Sequence, residues 1–205
     1  MTGAATLGRR EATKAANRGA ILEAAREVFA ELGYGQATVR DVIRRTELAS
    51  GTFYNYFPDK KSVLRALVED NAAVVQERLR EARARADTLE EFVRDGYRVY
   101  FEYLLEDRPT FELMRRNAGT IRELMGEPAL GAGVHDLEAD LRTLVQRGDL
   151  PQLDTEYVAA AMAGVGVEVG IRMIERDPPD VDGATEFAVA LFLGGLERLA
   201  GRRKS

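Results

Sequence analysis

The chain has 205 residues, 45% of them hydrophobic and 31% charged, enough apolar surface for a core spread over one or two small domains. Cys is absent and His135 is the single histidine, which excludes a disulfide framework, a thiolate or His-based metal cluster and a Ser-His-Asp triad. The net charge of −5 is unevenly placed: residues 1–62 hold ten Lys/Arg against seven Asp/Glu, the remainder 19 against 27, so an acidic body carries a basic N-terminal end that would orient itself at DNA.

Residues 1–8 are expected to be disordered, and MTGAATLGRR lacks the apolar stretch of a signal peptide. No apolar run reads as membrane-spanning, so the expectation is a cytoplasmic protein without membrane contact. Arg9, Arg10, Lys14 and Arg18 form a basic lead-in, either a solubilising tail or an arm that touches phosphate or the minor groove. From Arg18 to Leu32 a helical stripe of Ile21, Leu22, Ala25, Val28, Phe29 and Leu32 predicts a helix. Gly33 should close it and Tyr34 should pack back on it. Val39, Val42 and Ile43 recur at helical spacing, and so do Ala49, Phe53 and Phe57. Thr38 with Asp41 makes a capping-box-like start, and Thr46-Glu47-Leu48 leaves room for one tight turn. Two short helices joined this way form a helix-turn-helix, whose second helix can enter the major groove. Opposite its two Phe, that second helix offers Ser50, Gly51, Thr52, Tyr54, Asn55 and Tyr56. These are groups that donate to phosphates and base edges, with no acid among them to be repelled. Asp59 is the expected cap of the next helix. Lys60 and Lys61 fall in its first turn, where the dipole disfavours cations, so they mark either a solvated turn or a phosphate partner.

The run GTFYNYFPDKKSVL, preceded by an amphipathic helix and TVRDVIRR, resembles the DNA-binding domain of the TetR family of bacterial transcriptional regulators over roughly residues 15 to 68. The resemblance implies an all-α protein with an N-terminal three-helix helix-turn-helix domain and a C-terminal helical domain for ligand binding and dimerisation. It implies that Arg40 and residues 50 to 56 face DNA, with Thr38 and Lys60 on phosphates. The chain departs from the family pattern at Glu47, where Gly usually stands, and at Ala49, where Ser or Thr often caps. A non-Gly residue must then take the tight bend, at positive φ if the usual geometry is kept.

A fourth helix should run from Lys60 to about residue 86, and the domain boundary is placed inside it, giving a DNA-binding domain at 9–70 and a second domain at 71–205. Thr88 should cap a helix to about Glu106, broken at Asp107-Arg108-Pro109. A short helix at 109–117 is followed by Gly119, Gly126, Pro128, Gly131 and Gly133, which are expected to interrupt the chain. A helix at about 135–146, a stop at Gly148–Pro151 and two final helices at about 155–176 and 183–200 complete the reading. Gly164, Gly166 and Gly170 inside the first of these predict close approach of another helix. The second is apolar over more than one face, so the last two helices should pair with their copies in a homodimer. A two-fold dimer would meet the half-sites of a palindromic double-stranded operator, and Leu191 or Leu196 should be buried between subunits.

Tyr97, Tyr100, Phe101, Phe111 and Met114 supply apolar and aromatic walls for a ligand site, with Arg115 and Arg116 as cationic ends, although core packing explains most of such a stripe. RPTFELMRRNAGT is similar to the fatty-acid-responsive regulators of the FabR and DesT kind, which implies a fatty acid or acyl-CoA as a small hydrophobic effector. No cofactor and no catalytic residues are expected, because no nucleophile or acid–base pair stands out. The leading reading is a repressor released from its operator by that effector. The alternative is a DNA-binding protein that bridges to a protein partner and senses no small molecule.

Overall fold

The computed structural model describes residues 3–125 and 128–201, all ten of its regular elements α-helical. They are α1 (Gly3–Leu32), α2 (Val39–Arg45), α3 (Ser50–Tyr54), α4 (Lys60–Arg85), α5 (Leu89–Glu106), α6 (Arg108–Arg116), α7 (Ala118–Met125), α8 (Pro128–Arg147), α9 (Thr155–Ile174) and α10 (Val181–Gly201).

Two compact units share them. One holds the chain to Asn71 together with Pro109–Leu124; the other holds Ala72–Arg108 and the chain from Met125. The division falls inside α4, after Asn71, and the first unit takes in a segment from beyond α5. Residues 109–124 cluster with the first unit because Asn117 and Arg116 hydrogen-bond its backbone at the end of α1.

In the first unit, Ile21, Ala25, Val28 and Phe29 of α1, Val42 of α2, Phe53 and Phe57 around α3, and Val63, Leu64 and Leu67 of α4 are buried. Burying each of the Val, Leu, Ile and Phe side chains stabilises the first unit by about 1.5–3 kcal/mol. Gly33 ends α1 at φ 76°, a left-handed position open to glycine, and its N–H reaches the Phe29 carbonyl at 3.1 Å. α1 starts fifteen residues before the expected Arg18, so residues 3–8 are helical and not disordered; the Ala, Arg, Lys and Glu of this stretch are strong helix formers.

In the second unit, α5 packs on both α9 and α10, and α8 packs on α9. Thr88 and Glu91 form the capping box of α5, and the Asp154 carboxylate accepts from the Tyr157 N–H at the start of α9. Tyr97 stacks on Phe101 and Phe192 at centroid distances of 5.8 and 5.9 Å, and its hydroxyl donates to the Met162 carbonyl at 2.9 Å. A Cβ at Gly170 would stand 2.6 Å from Leu104 Cδ1, and one at Gly166 would touch Tyr97 and Tyr100 at 3.5 and 3.6 Å. The helix that comes close to these two glycines is therefore α5 of the same chain, whereas nothing lies within 4 Å at Gly164.

Three further expectations change. The glycines after residue 118 do not break the chain as expected: Gly119 lies in α7, and Gly131 and Gly133 lie in α8, which starts seven residues earlier than predicted, while Gly126 is outside the described residues. Leu196 is already buried within its own chain, while Leu191 stays exposed. α9, with a mean hydropathy of 1.5, is long and apolar enough by length and composition to cross a membrane. It packs against α5, α8 and α10, and the central helix of a helical bundle meets the same criterion.

Candidate nucleic-acid interface

The five residues of α3 are held by their apolar side. Phe53 and Phe57 are buried with their rings 6.2 Å apart, so the opposite side is turned outward. Ser50, Gly51, Tyr54 and Asn55 are exposed, Thr52 and Tyr56 half-buried. Tyr54 leaves 58% of its surface open, an unusual position for an aromatic ring unless it is to stack or donate. α3 begins at Ala49 without a side-chain cap, as the missing Ser or Thr implied.

The turn before it is built without strain. Glu47 does not take positive φ; among the described residues only glycines do. Thr46 does the work of the expected glycine: its hydroxyl donates to the Ile43 carbonyl at 2.9 Å and accepts from the Leu48 N–H at 3.3 Å. An ST-type side-chain bond of this sort lets the backbone turn in the β region.

Upstream, Thr38 caps α2 in a complete capping box. Its hydroxyl donates to Asp41 Oδ2 at 2.6 Å and accepts from the Asp41 N–H at 3.2 Å. The Thr38 hydroxyl and the Thr38 backbone N–H, both donating to Asp41 Oδ2, hold that carboxyl below the usual carboxylate range. Arg40 and Lys61 are exposed, and neither forms an ion pair among the described residues. Thr38, Arg40 and the strip of Ser50, Gly51, Thr52, Tyr54, Asn55 and Tyr56 are accessible on the first unit.

Lys60 does not join them in the way expected. Its ammonium donates to the carbonyls of Tyr34, Gly35 and Ala37 at 2.8, 3.3 and 2.9 Å and lies 4.6 Å from the centre of the Tyr34 ring. An ammonium has three donors, and all three are used. Lys60 is thus a clamp on the loop between α1 and α2, and a phosphate contact would cost one of those bonds. The same loop is gripped from a second side. Asn117, buried between α6 and α7, accepts from the Tyr34 N–H through Oδ1 at 2.6 Å and donates through Nδ2 to the Leu113 carbonyl at 2.8 Å. Arg116 donates to the Glu31 carbonyl at 2.8 Å, closing an open acceptor in the last turn of α1. Tyr34 packs back on Phe29 of α1 as expected, with ring centroids 5.5 Å apart, but sequence reasoning missed its bond to Asn117, 83 residues away with no local pattern linking them.

The seven residues expected at a ligand are divided. Tyr97, Tyr100 and Phe101 belong to the second unit; Phe111, Met114, Arg115 and Arg116 belong to the first. Burial pushes the Tyr97 phenol well above its ordinary value and Tyr100 up to about 12. Arg115 pairs with Glu112 at 2.8 Å, and Arg116 is committed to α1. Within the second unit a groove of about 360 Å³ runs between α9 and α10, lined by Val169, Arg172, Met173, Arg176, Ala184 and Phe187 among others, and none of the seven borders it.

Residues 21–67 match the family model described as bacterial regulatory proteins, tetR family. Among solved structures, the chain is similar to the fatty acid degradation regulator FadR from Bacillus halodurans at 26% identity and a TM-score of 0.77, over 87% of this chain and 95% of that one. It is similar to a TetR-family transcriptional regulator from Pectobacterium atrosepticum at 27% identity and a TM-score of 0.65, over 90% and 96%. FadR from Bacillus subtilis, solved in complex with stearoyl-CoA, shares the fold at 23% identity and a TM-score of 0.73, over 83% and 97%.

Proposed function

We propose, from the premise that the chain belongs to the TetR family of bacterial transcriptional regulators, that it is a homodimeric cytoplasmic repressor released from a palindromic operator by a fatty acid or acyl-CoA. The observation that carries the DNA half is the acid-free strip of Ser50, Gly51, Tyr54 and Asn55, turned outward by the buried Phe53 and Phe57 and flanked by exposed Arg40 and Lys61. Small hydroxyls, a carboxamide and phenols on a short helix read base edges, and the two cations take phosphate. Residues 9–70 are the reading domain in this proposal, with the 109–124 segment as its support.

Assembly rests on the exposed apolar residues of the last two helices. Tyr157 and Val167 on α9 and Phe187 and Leu191 on α10 are large and open, and a two-fold interface is the economical way to cover them. The effector class rests on the likeness to the fatty acid degradation regulator from Bacillus halodurans, whose name states that role for that protein. Tyr97, Tyr100 and Phe101 of α5, within the second unit, are the proposed acyl-chain contacts. A ligand acts only through its differential affinity for two arrangements, and a coupling of ~1–3 kcal/mol would lower operator affinity about 5- to 150-fold.

The test is anisotropy on a duplex selected from random DNA. Asn55→Ala and Tyr56→Ala should abolish specific binding while the melting temperature stays within a degree or two of wild type. Long-chain acyl-CoAs should release the wild-type protein. Retained binding by the Asn55/Tyr56 double variant would remove the DNA reading, and tight acyl-CoA binding without release would remove the effector.

A further inference from the structure

One arginine of the second unit is buried where the other paired arginines are open. The Arg83 side chain, in the last turn of α4, exposes 7% of its surface. The remaining arginines in ion pairs among the described residues expose between 28%, at Arg94, and 74%, at Arg172. Its partner, Asp140 of α8, keeps 43% of its side chain open. The carboxylate of this pair faces water, and the guanidinium lies inside.

A guanidinium carries five N–H donors. Only Nε of Arg83 is used, donating to Asp140 Oδ2 at 2.8 Å, and among the described residues neither Nη1 nor Nη2 meets an acceptor. Buried donors of a charged group are costly without acceptors, and a bridge built for stability would close both prongs on its carboxylate. The open prong has the shape and charge that receive a second carboxylate.

Its place in the second unit fits that use. Arg78 pairs with Glu106 at 2.7 Å and lies 5.1 Å from the centre of the Tyr103 ring. The chain reverses between α4 and α5, so five residues forward from Arg78 correspond to five residues back from 103–106. Arg83 is therefore level with residues 98–101 of α5, which include Tyr100 and Phe101 of the wall proposed for the acyl chain. The cations of α5 itself are taken: Arg94 by Glu90 and Glu186, Arg98 by Asp182 and Glu102.

We propose that Arg83 anchors the anionic end of the effector, and that this end is the carboxylate of a free fatty acid whose chain lies along the α5 aromatics. The inference rests on the reading of the second unit as effector-binding. A carboxylate is small enough to reach a side chain more than nine-tenths buried, and its two oxygens match two parallel N–H donors. Asp140 is the competitor that holds the guanidinium until the fatty acid arrives.

The experiment titrates laurate, methyl laurate and lauroyl-CoA by calorimetry into wild type, Arg83→Met, Arg83→Lys and Asp140→Asn. Laurate should bind wild type about 10- to 100-fold more tightly than its methyl ester, the range that a hydrogen bond to a charged group supplies. Arg83→Met should bind acid and ester alike, with the ester affinity of wild type, and Arg83→Lys should keep part of the preference. Asp140→Asn removes the competitor and should bind laurate more tightly than wild type does, with the ester unchanged. A purely structural bridge would weaken acid and ester together in both Arg83→Met and Asp140→Asn, which would overturn the proposal. An unchanged acid-to-ester ratio in Arg83→Met would overturn it and leave a fatty-acyl effector standing. If Arg83→Met does not fold, equal or weaker laurate binding by Asp140→Asn overturns it in the same way. Binding of lauroyl-CoA without laurate would overturn the carboxylate assignment alone, and a wild type that binds none of the three would overturn the effector reading as well.

Discussion

Replacing Asn117 with Ala removes the one side chain that closes the α1–α2 loop from the far side. The Tyr34 N–H loses its acceptor at 2.6 Å, and the Leu113 carbonyl keeps only the Asn117 backbone N–H at 3.1 Å. A part-buried donor left without a partner costs about 1–3 kcal/mol. For a chain of this length each kcal/mol moves the melting midpoint by roughly 2–4 °C, so the first unit should melt roughly 2–12 °C earlier. Hydrogen exchange reads the same loss at one amide: Tyr34 N–H should exchange at least about fivefold faster, the factor that 1 kcal/mol implies. Asn117→Asp keeps the Oδ1 acceptor and should restore the protection of Tyr34 relative to Asn117→Ala, while its second, buried carboxylate oxygen faces the Leu113 carbonyl and lowers the melting midpoint. Because the loop ends at the cap residue Thr38, operator affinity should fall with the protection, although Asn117 touches no DNA in this reading. A Tyr34 amide that exchanges equally fast in wild type and Asn117→Ala would refute the latch.

The glycines of α9 separate helix propensity from packing. Gly164→Ala meets open space within its protomer and should raise the stability of an isolated protomer by ~1 kcal/mol. Gly170→Ala must displace Leu104 and should be neutral or destabilising by ~1–2 kcal/mol in chemical denaturation. Leu191→Glu should convert a dimer to a monomer in light scattering with little loss of protomer stability, since Leu191 is 48% exposed. The two phenols set a limit at high pH: their folded values are raised above the ordinary 10, so the neutral forms stabilise the protein fully below pH 10. That contribution should fade as pH climbs from 10 towards 12, and Tyr100→Phe should flatten part of the decline in a melting series.

Local chemistry made the helices, caps and turn of the head readable in the amino-acid order. Thr38 with Asp41, Gly33 at positive φ, and the pairing of Phe53 with Phe57 all act within about four residues, a range over which backbone geometry forces side chains together. The acid-free outer face of α3 follows from the same spacing. Charge near a helix start was a weaker guide: Lys60 read as a phosphate ligand, but three carbonyls of the α1–α2 loop lie within its reach and nothing local announces them. The glycines between residues 119 and 133 read as breaks because their helix cost is visible locally, while the packing that offsets it is not. The tertiary structure alone decided that residues 109–124 belong with the head, that Asn117 secures Tyr34, and that Gly166 and Gly170 make way for α5 of their own chain. Each of these joins residues dozens of positions apart. A hydrogen bond across 83 residues depends on where whole helices come to rest, which side-chain spacing along the chain does not encode.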